Sequence, residues 1–237
     1  MKVYVTKIKE VSEEILEELI KFISKEKKSK LQKLKHREDK LRSLIGEILV
    51  RYVIGENTII EVNDIIFETN IYGKPYLRNY SDFHFNISHS GDFVICAIDN
   101  KPIGVDIEKV IPLEYEAIAN NFFTTREMNY IKRENLRNQL SKFYEIWTIK
   151  ESYVKAYGQG FNMCFKDFSM DYNEEKYIGV IRENKYDKCN IKVFNLESDY
   201  KVAICSFNPI IFKHITYIDV ENLISNFLYT KINSIKL

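Results

Sequence analysis

Residue types that mark several other protein classes are scarce in this chain of 237 residues. Its four cysteines include no pair at CxxC spacing, and Cys96 and Cys205 lie inside apolar runs that are typical of buried positions. The four histidines lack the spacing of a zinc site. These absences argue against a disulfide-rich secreted scaffold and a zinc fold, and they favour a reduced, cytoplasmic setting.

Long apolar runs are also missing. The start of the chain has no stretch typical of a signal peptide, and the run Leu44–Gly55 is interrupted by Glu47 and Arg51. The formal net charge is only +1, so no overall field points to a polyanion or a lipid surface. We therefore expect no nucleic-acid partner and no membrane partner.

Charge is nevertheless uneven along the chain. The segment from Lys21 to Arg42 contains ten basic residues and only three acidic ones. This run predicts either a solvated helix face or an anion site, because clustered Lys and Arg side chains suit phosphate groups. A nucleic-acid binder that uses the same run is a further alternative.

Apolar spacing and turn residues predict the main elements. Residues 41–52 and 136–157 follow helical periodicity, residues 92–98 and 103–110 have the apolar pattern of strands, and Thr124–Glu127 forms a capping box at the start of a helix.

The chain contains a faint internal repeat. Residues 45–51 resemble residues 149–155 at an offset of 104, and residues 95–97 resemble residues 204–206 at an offset of 109. Two helix-then-strand units at nearly one offset predict two similar α+β halves that meet near residue 105.

The segment Gly104-Val105-Asp106-Ile107-Glu108 places Asp106 and Glu108 on one face of a predicted strand, because alternate residues share a face. Two neighbouring carboxylates can hold a divalent cation, and oxygen ligands favour Mg²⁺ over Zn²⁺. A strand with one solvated face is the alternative.

Trp147, Glu151 and Lys155 recur at i, i+4 and i+8 of the long predicted helix, so they lie along one face. Trp147 is expected to anchor the helix, Glu151 to bind a metal or accept a proton, and Lys155 to contact a phosphate. Lys150 lies off this row, and we expect it to pair with a neighbouring acid and to matter least for activity. A Glu–Lys pair beside a core tryptophan is the alternative.

In residues 86–91, NISHSG, a predicted strand meets a small polar turn. Ser88, His89 and the turn amides can donate hydrogen bonds to phosphate oxygens. A serine hydrolase is a weaker hypothesis, because there is no GxSxG elbow and the adjacent Ser88 and His89 diverge on a strand.

These motifs, taken in their order along the chain, resemble those of the Sfp-type 4′-phosphopantetheinyl transferases. The resemblance covers about residues 22–207. The segments that carry it are Tyr72-Gly73-Lys74-Pro75, FNISHSG, GVDIE, FFTTRE, WTIKESYVKAYGQG and the basic helix KHREDKLRSLIGEILVR.

The resemblance implies transfer of the phosphopantetheine arm of coenzyme A to a serine of an apo carrier protein, with magnesium and release of 3′,5′-ADP. It implies an α+β fold of two similar halves around a pseudo-twofold axis, with the cleft between them, and we place the halves at 1–103 and 104–237. The carrier is expected to belong to a peptide, polyketide or fatty acid synthase, and the length favours the secondary-metabolism type. We expect a monomer. A catalytically silent coenzyme A or carrier-binding module is the alternative.

The resemblance also implies roles for individual residues. The implied magnesium ligands are Asp106, Glu108 and Glu151. Ile107 cannot act as a ligand, so water or Glu151 must take the position that a polar residue fills in some members. The serine proton goes to Glu151 or to water at the metal, while Lys155 and His89 stabilise the leaving group. The residues implied in coenzyme A binding are Lys27, Lys30, Arg42, Lys74, Ser88, His89 and Lys155, of which Lys27 and Lys30 are interchangeable with their lysine neighbours.

Overall fold

The computed structural model describes residues 1–172, 178–210 and 214–233. The elements of the first half are β1 (Lys2–Lys7), α1 (Glu13–Lys21), α2 (Lys25–Gln32), α3 (Arg37–Asn57), β2 (Phe67–Thr69), β3 (Pro75–Leu77), β4 (His84–Ser90) and β5 (Phe93–Asp99). The elements of the second half are β6 (Ile103–Lys109), α4 (Tyr115–Phe122), α5 (Thr125–Arg133), α6 (Leu136–Tyr157), β7 (Phe168–Tyr172), β8 (Ile178–Arg182), β9 (Lys185–Tyr186), β10 (Asn190–Asn195), β11 (Tyr200–Ser206), β12 (Thr216–Tyr217) and α7 (Val220–Asn233).

Each half supplies most strands of one main sheet, and the short strand β12 of the second half joins the first sheet. In the first sheet β5 lies between β1 and β4 and is antiparallel to both, and β12 pairs in parallel with β1. In the second sheet β11 lies between β6 and β10 and is antiparallel to both. Two smaller antiparallel groups, β2–β3 and β7–β8–β9, lie outside these sheets.

The two halves repeat one order of elements. The strand β1, the helix α3 and the hairpin β4–β5 correspond to β6, α6 and the pair β10–β11, and the last strand of each set is central in its sheet. In register, Cys96 of β5 lies opposite Tyr4, and Ala203 of β11 lies opposite Asp106. This order confirms the predicted α+β class with two similar halves.

Alternate residues of the central strands pack in different hydrophobic cores, because successive side chains point to opposite faces of a strand. One face of each sheet contributes to a shared core, whose members are Val3, Val5, Phe93, Ile95, Ala97, Ile103, Val105, Ile107, Tyr200, Val202 and Ile204. On the other faces, Val94 and Cys96 pack in the core of α3, and Ala203 and Cys205 pack in the core of α6. The two helices therefore cover the outer faces of the two sheets.

Local signals place several helix ends where the sequence predicts them. The Thr124 side chain accepts from the Glu127 N–H, and Glu127 caps the Thr124 N–H in return, so the capping box is confirmed. The helix α6 ends at Gly158, whose φ of 70° is left-handed. The helix α3 continues through Gly55 to Asn57, because its buried apolar face outweighs the roughly 1 kcal/mol cost of a helical glycine.

The predicted boundary at 103/104 falls beside the start of β6 at Ile103, and it remains a prediction. The second predicted half also includes residues 173–177, 211–213 and 234–237, which lie outside the described part of the chain. Within the described ranges, no helix is both long enough and apolar enough to cross a membrane.

Candidate active site

The two carboxylates of β6 lie where strand alternation predicts. Val105 and Ile107 point into the core between the sheets and are fully buried. Asp106 and Glu108 leave the opposite face, where Asp106 is only 2% exposed and Glu108 is half-buried. A carboxylate buried to this degree needs a counter-charge or strong hydrogen bonds.

Gly104 allows a helix to lie directly on these carboxylates. A Cβ added at Gly104 would overlap the Ser152 carbonyl oxygen and lie 3.0 Å from the Lys155 carbonyl carbon. The backbone of α6 therefore approaches β6 more closely than any side chain at residue 104 would permit. This contact brings the row of α6 residues to the acidic face of β6.

The predicted row on α6 is present. Trp147, Glu151 and Lys155 are half-buried, whereas residues between them, including Lys150 and Ser152, are fully buried. The Trp147 ring lies against an aromatic group on the surrounding elements, with ring-centroid distances of 5.5–6.5 Å to Phe165, Phe122, Phe143 and Phe123. Trp147 thus anchors the helix, and the other two members of the row face the carboxylates.

Lys155 connects the two halves of the molecule. Its ammonium lies 2.6 Å from Asp106 Oδ1 and donates to Ser88 Oγ at 3.1 Å, and Ser88 Oγ donates to Asp106 Oδ1 at 2.8 Å. The second oxygen, Asp106 Oδ2, is buried and has no hydrogen-bond partner among the described residues. A buried carboxylate oxygen without a donor is costly, so this atom marks a place for a cation or another donor.

Asp106, Glu108 and Glu151, here called the acidic cluster, act on one another electrostatically. Burial, followed by the negative charges of Asp106 and Glu151, raises the pKa of Glu108 to about 7, although the Ser90 hydroxyl and Lys155 oppose the shift. Burial, followed by the charge of Asp106, also raises the pKa of Glu151. Over the described ranges, no group of three or more His, Cys, Asp or Glu side chains has a ready-made metal geometry.

The way in which β4 and β6 are joined is not evident from the sequence. Asn86 Oδ1 accepts from the Val105 N–H at 2.8 Å, and Ser90 Oγ accepts from the Lys109 N–H at 3.1 Å while donating to Glu108 Oε2 at 2.8 Å. Side chains of β4 therefore take the place of ladder hydrogen bonds along this seam. The available signal was the alternation of short polar residues in NISHS.

Lys27, Arg42 and His89, here called the basic cluster, come together from α2, α3 and β4. His89 keeps an exposed edge, but partial burial lowers its pKa, and the positive charges of Arg42, Lys155 and Lys27 lower it further. Arg42 is held by the Gly91 carbonyl at 3.0 Å and Asp39 at 2.7 Å. An excess of positive charge around a neutral imidazole suits an anionic ligand.

The other basic residues implied in coenzyme A binding differ in position. Burial lowers the pKa of Lys27, which lies 3.9 Å from Glu47, and the charge of Lys30 lowers it too. Lys30 is exposed on α2. The structure does not bring Lys74 to the basic cluster through any contact, because its ammonium donates to three main-chain carbonyls, those of Ile103, Lys155 and Ala156.

Comparisons with known proteins match this chain to one family. The model of the 4′-phosphopantetheinyl transferase N-terminal family matches residues 10–101, and that of the 4′-phosphopantetheinyl transferase superfamily matches residues 102–205. The 4′-phosphopantetheinyl transferase Sfp of Bacillus subtilis (strain 168) is 37% identical over 214 residues, which are 90% of this chain and 95% of the relative. The chain belongs to the 4′-phosphopantetheinyl transferase superfamily.

A second sequence relative agrees with this assignment. The 4′-phosphopantetheinyl transferase gsp of Aneurinibacillus migulanus is 36% identical over 220 residues, covering 92% of this chain and 91% of the relative. Among solved structures, a holo-(acyl-carrier-protein) synthase from Bacillus anthracis str. Ames in complex with coenzyme A (3′,5′-ADP) is 20% identical, with a TM-score of 0.37, over 44% of this chain and 92% of that chain. The predicted family and enzyme class are confirmed by the sequence relatives.

Lys150 of the transferase lies off the row of Trp147, Glu151 and Lys155, and its environment differs from theirs. It is fully buried and lies 2.8 Å from Glu127, which is also fully buried. The predicted pairing with an acid is therefore present. Its partner was visible in the sequence only as a capping residue, and this second role depends on the packing of α5 against α6.

Proposed function

We propose that the transferase moves the 4′-phosphopantetheine arm of coenzyme A onto a serine hydroxyl of an apo carrier protein and releases 3′,5′-ADP. One observation carries this proposal: the acidic cluster and the basic cluster adjoin, and the charge of Lys155 acts on members of both. A ligand that offers several phosphates together with a divalent cation would be complementary to this arrangement.

Mg²⁺ fits the acidic cluster. The donors are all oxygens, Asp106 Oδ2 is buried without a partner, and mutual repulsion among the carboxylates would be relieved by a cation. We assign Asp106, Glu108 and Glu151 as the residues that would hold it. When bound, the ion supplies positive charge that stabilises the phosphates of coenzyme A during cleavage.

The basic cluster binds and orients the donor in this proposal. Lys27 and Arg42 bind phosphates of coenzyme A, together with the exposed Lys30 on the same helix as Lys27. His89 has a pKa below its usual value, so its ring is mainly neutral at pH 7 and donates a hydrogen bond without adding full charge. Fixed donors of this kind need little reorganisation as charge develops.

Lys155 and Glu151 act at the reacting bond. Lys155, whose ammonium is oriented by its hydrogen bond to Ser88, stabilises the negative charge that develops on the leaving phosphate oxygen. Glu151, one helical turn before it, accepts the proton of the attacking serine. Because α6 holds both side chains in one row, attack and departure are aligned with little loss of entropy on binding.

The acceptor class requires a direct test. We propose carrier domains of peptide and polyketide synthases as the first candidates, with the carrier of fatty acid synthesis as a third. Both clusters come from one chain, so a monomer contains the whole site.

The test incubates the protein with coenzyme A, Mg²⁺ and a panel of apo carrier proteins, and mass spectrometry detects the gain of one phosphopantetheine arm. The chelated reaction and the Glu151→Gln variant serve as controls. We expect transfer to at least one carrier, transfer lost on chelation, and a fall in kcat for Glu151→Gln with coenzyme A binding retained. Tight coenzyme A binding with no transfer to any carrier would leave only a binding module.

A further inference from the structure

The tip of the β2–β3 hairpin reaches from the first half to the end of α6 in the second. Asn70 Oδ1 accepts from the Tyr72 and Lys74 N–H groups and shapes the turn, in which Gly73 has a φ of 88°. The side-chain nitrogen of Asn70, Nδ2, donates to the Gly158 carbonyl at 2.9 Å. The turn is therefore built to hold Lys74 against the last turn of α6.

The Lys74 ammonium uses all of its hydrogens there. It donates to the carbonyls of Lys155 at 2.6 Å, Ala156 at 3.1 Å and Ile103 at 3.0 Å. The last carbonyls of a helix have no partner within the helix, and a positive charge at this end also opposes the helix dipole. Burial lowers the pKa of Lys74 to about 8.

Gly158 provides space for this lysine. A Cβ added at Gly158 would lie 2.7 Å from Lys74 Cδ and 3.2 Å from the Asn70 side-chain nitrogen. The glycine is thus required for its left-handed φ of 70° and for the lysine that crosses it. The glycine at the end of α6 and the turn of the β2–β3 hairpin therefore both contribute to the position of the Lys74 side chain.

We propose that Lys74 is a positioning residue, which ties the last turn of α6 to the start of β6 so that the Lys155 side chain stays on Asp106 and Ser88. The carbonyl at 2.6 Å from Lys74 belongs to Lys155 itself. A shift of this carbonyl would move the Lys155 ammonium relative to Asp106. This inference rests on the proposed function, and it replaces the phosphate contact that the family resemblance implies for Lys74.

The two roles predict different kinetics for Lys74→Met. A positioning role predicts a fall in kcat of about 10- to 100-fold, the scale of a small misplacement, with little change in KM for coenzyme A. The same fall is expected with dephospho-coenzyme A. A phosphate contact predicts instead a higher KM with kcat kept, and a weaker preference for coenzyme A over dephospho-coenzyme A.

Lys101→Met, at an exposed position of the β5–β6 turn, is the matched control and should leave both constants unchanged. In the Lys155→Ala background, Lys74→Met should cause no further fall in kcat, because it acts through the missing side chain. Asn70→Ala removes the Gly158 contact and the two hydrogen bonds that Asn70 Oδ1 accepts in the turn, but it leaves the Lys74 side chain in place. It should therefore give a smaller version of the Lys74→Met effect, which provides a second variant if Lys74→Met folds poorly.

Hydrogen exchange of the peptide segment 152–160 supplies a readout that does not depend on activity. Faster exchange in Lys74→Met, together with the fall in kcat, supports the proposal. Unchanged exchange overturns it even if the wild-type protein transfers nothing, and that absence of transfer would separately refute the proposed function. Faster exchange with normal kcat, or the kinetics of a phosphate contact, also overturns the positioning role.

Discussion

Replacing Lys150 with methionine should remove a large part of the free energy of unfolding. The Lys150 ammonium lies 2.8 Å from Glu127 Oε1 and donates to the carbonyls of Phe165 at 2.7 Å and Phe168 at 2.9 Å, with both charged side chains at 0% exposure. Methionine nearly preserves the volume, so the loss is electrostatic and not a cavity effect.

The magnitude follows from what the variant leaves behind. Glu127 keeps the Met170 N–H at 2.9 Å and the Thr124 N–H at 2.8 Å, but its charge is then buried without a cation. Breaking a buried ion pair from one side costs about 3–5 kcal/mol. For a chain of this size that corresponds to a fall in Tm of roughly 6–20 °C.

Urea titration and thermal unfolding measure this loss, with Glu127→Gln/Lys150→Met as the matched variant. The double variant should be more stable than Lys150→Met, because the orphaned charge is gone and the Gln oxygen still accepts from Met170. A loss below about 1 kcal/mol in Lys150→Met would refute the reasoning. Where the variant is folded, its kcat should also fall less than that of Glu151→Gln, and the opposite order would contradict our assignment of the chemical face of α6.

Further variants test the site itself. Asp106→Ala should lower kcat by at least about 100-fold while the urea midpoint stays near that of the wild type, since repulsion with Glu108 and Glu151 is relieved; near-normal transfer would contradict a role for this residue. Gly104→Ala should cost about 1–3 kcal/mol in a urea titration, because a Cβ has no space beneath α6, and an unchanged midpoint would argue against that contact. Arg42→Met should raise the pKa of His89 toward its usual value, because one of the cations that lower it is removed; an unshifted imidazole titration by NMR would contradict the basic cluster.

Local sequence patterns were sufficient to predict which residues of the site share one face of a strand or helix. The period of two placed Asp106 and Glu108 on one face of β6, and the helical period aligned Trp147, Glu151 and Lys155 on α6. Both periodicities depend only on backbone geometry, so they can be read from neighbouring residues.

The sequence was a poorer guide to the hydrogen-bond and ion-pair partners of individual lysines. Lys74 and Lys150 are both lysines in conspicuous motifs, yet neither is on the row that faces the acidic cluster. Lys74 binds carbonyls at the end of α6, 81 and 82 residues away, and Lys150 pairs with Glu127 on α5. A lysine satisfies phosphates, carboxylates and carbonyls alike, so its sequence context does not select among them.

The sequence by itself determined the family, the two similar halves and the residue types of the site, because these follow from motif order, repeats and short-range periodicity. Only the tertiary structure decided that Ser88 and Ser90 of one half donate hydrogen bonds to Asp106 and Glu108 of the other. It also decided that the Lys155 ammonium is held by Asp106 while the Lys155 carbonyl is held by Lys74. These contacts arise where α6 packs directly on β6 at Gly104, which has no Cβ, and where buried polar atoms need hydrogen-bond partners from the other half. Such requirements are set by packing between segments far apart in the chain.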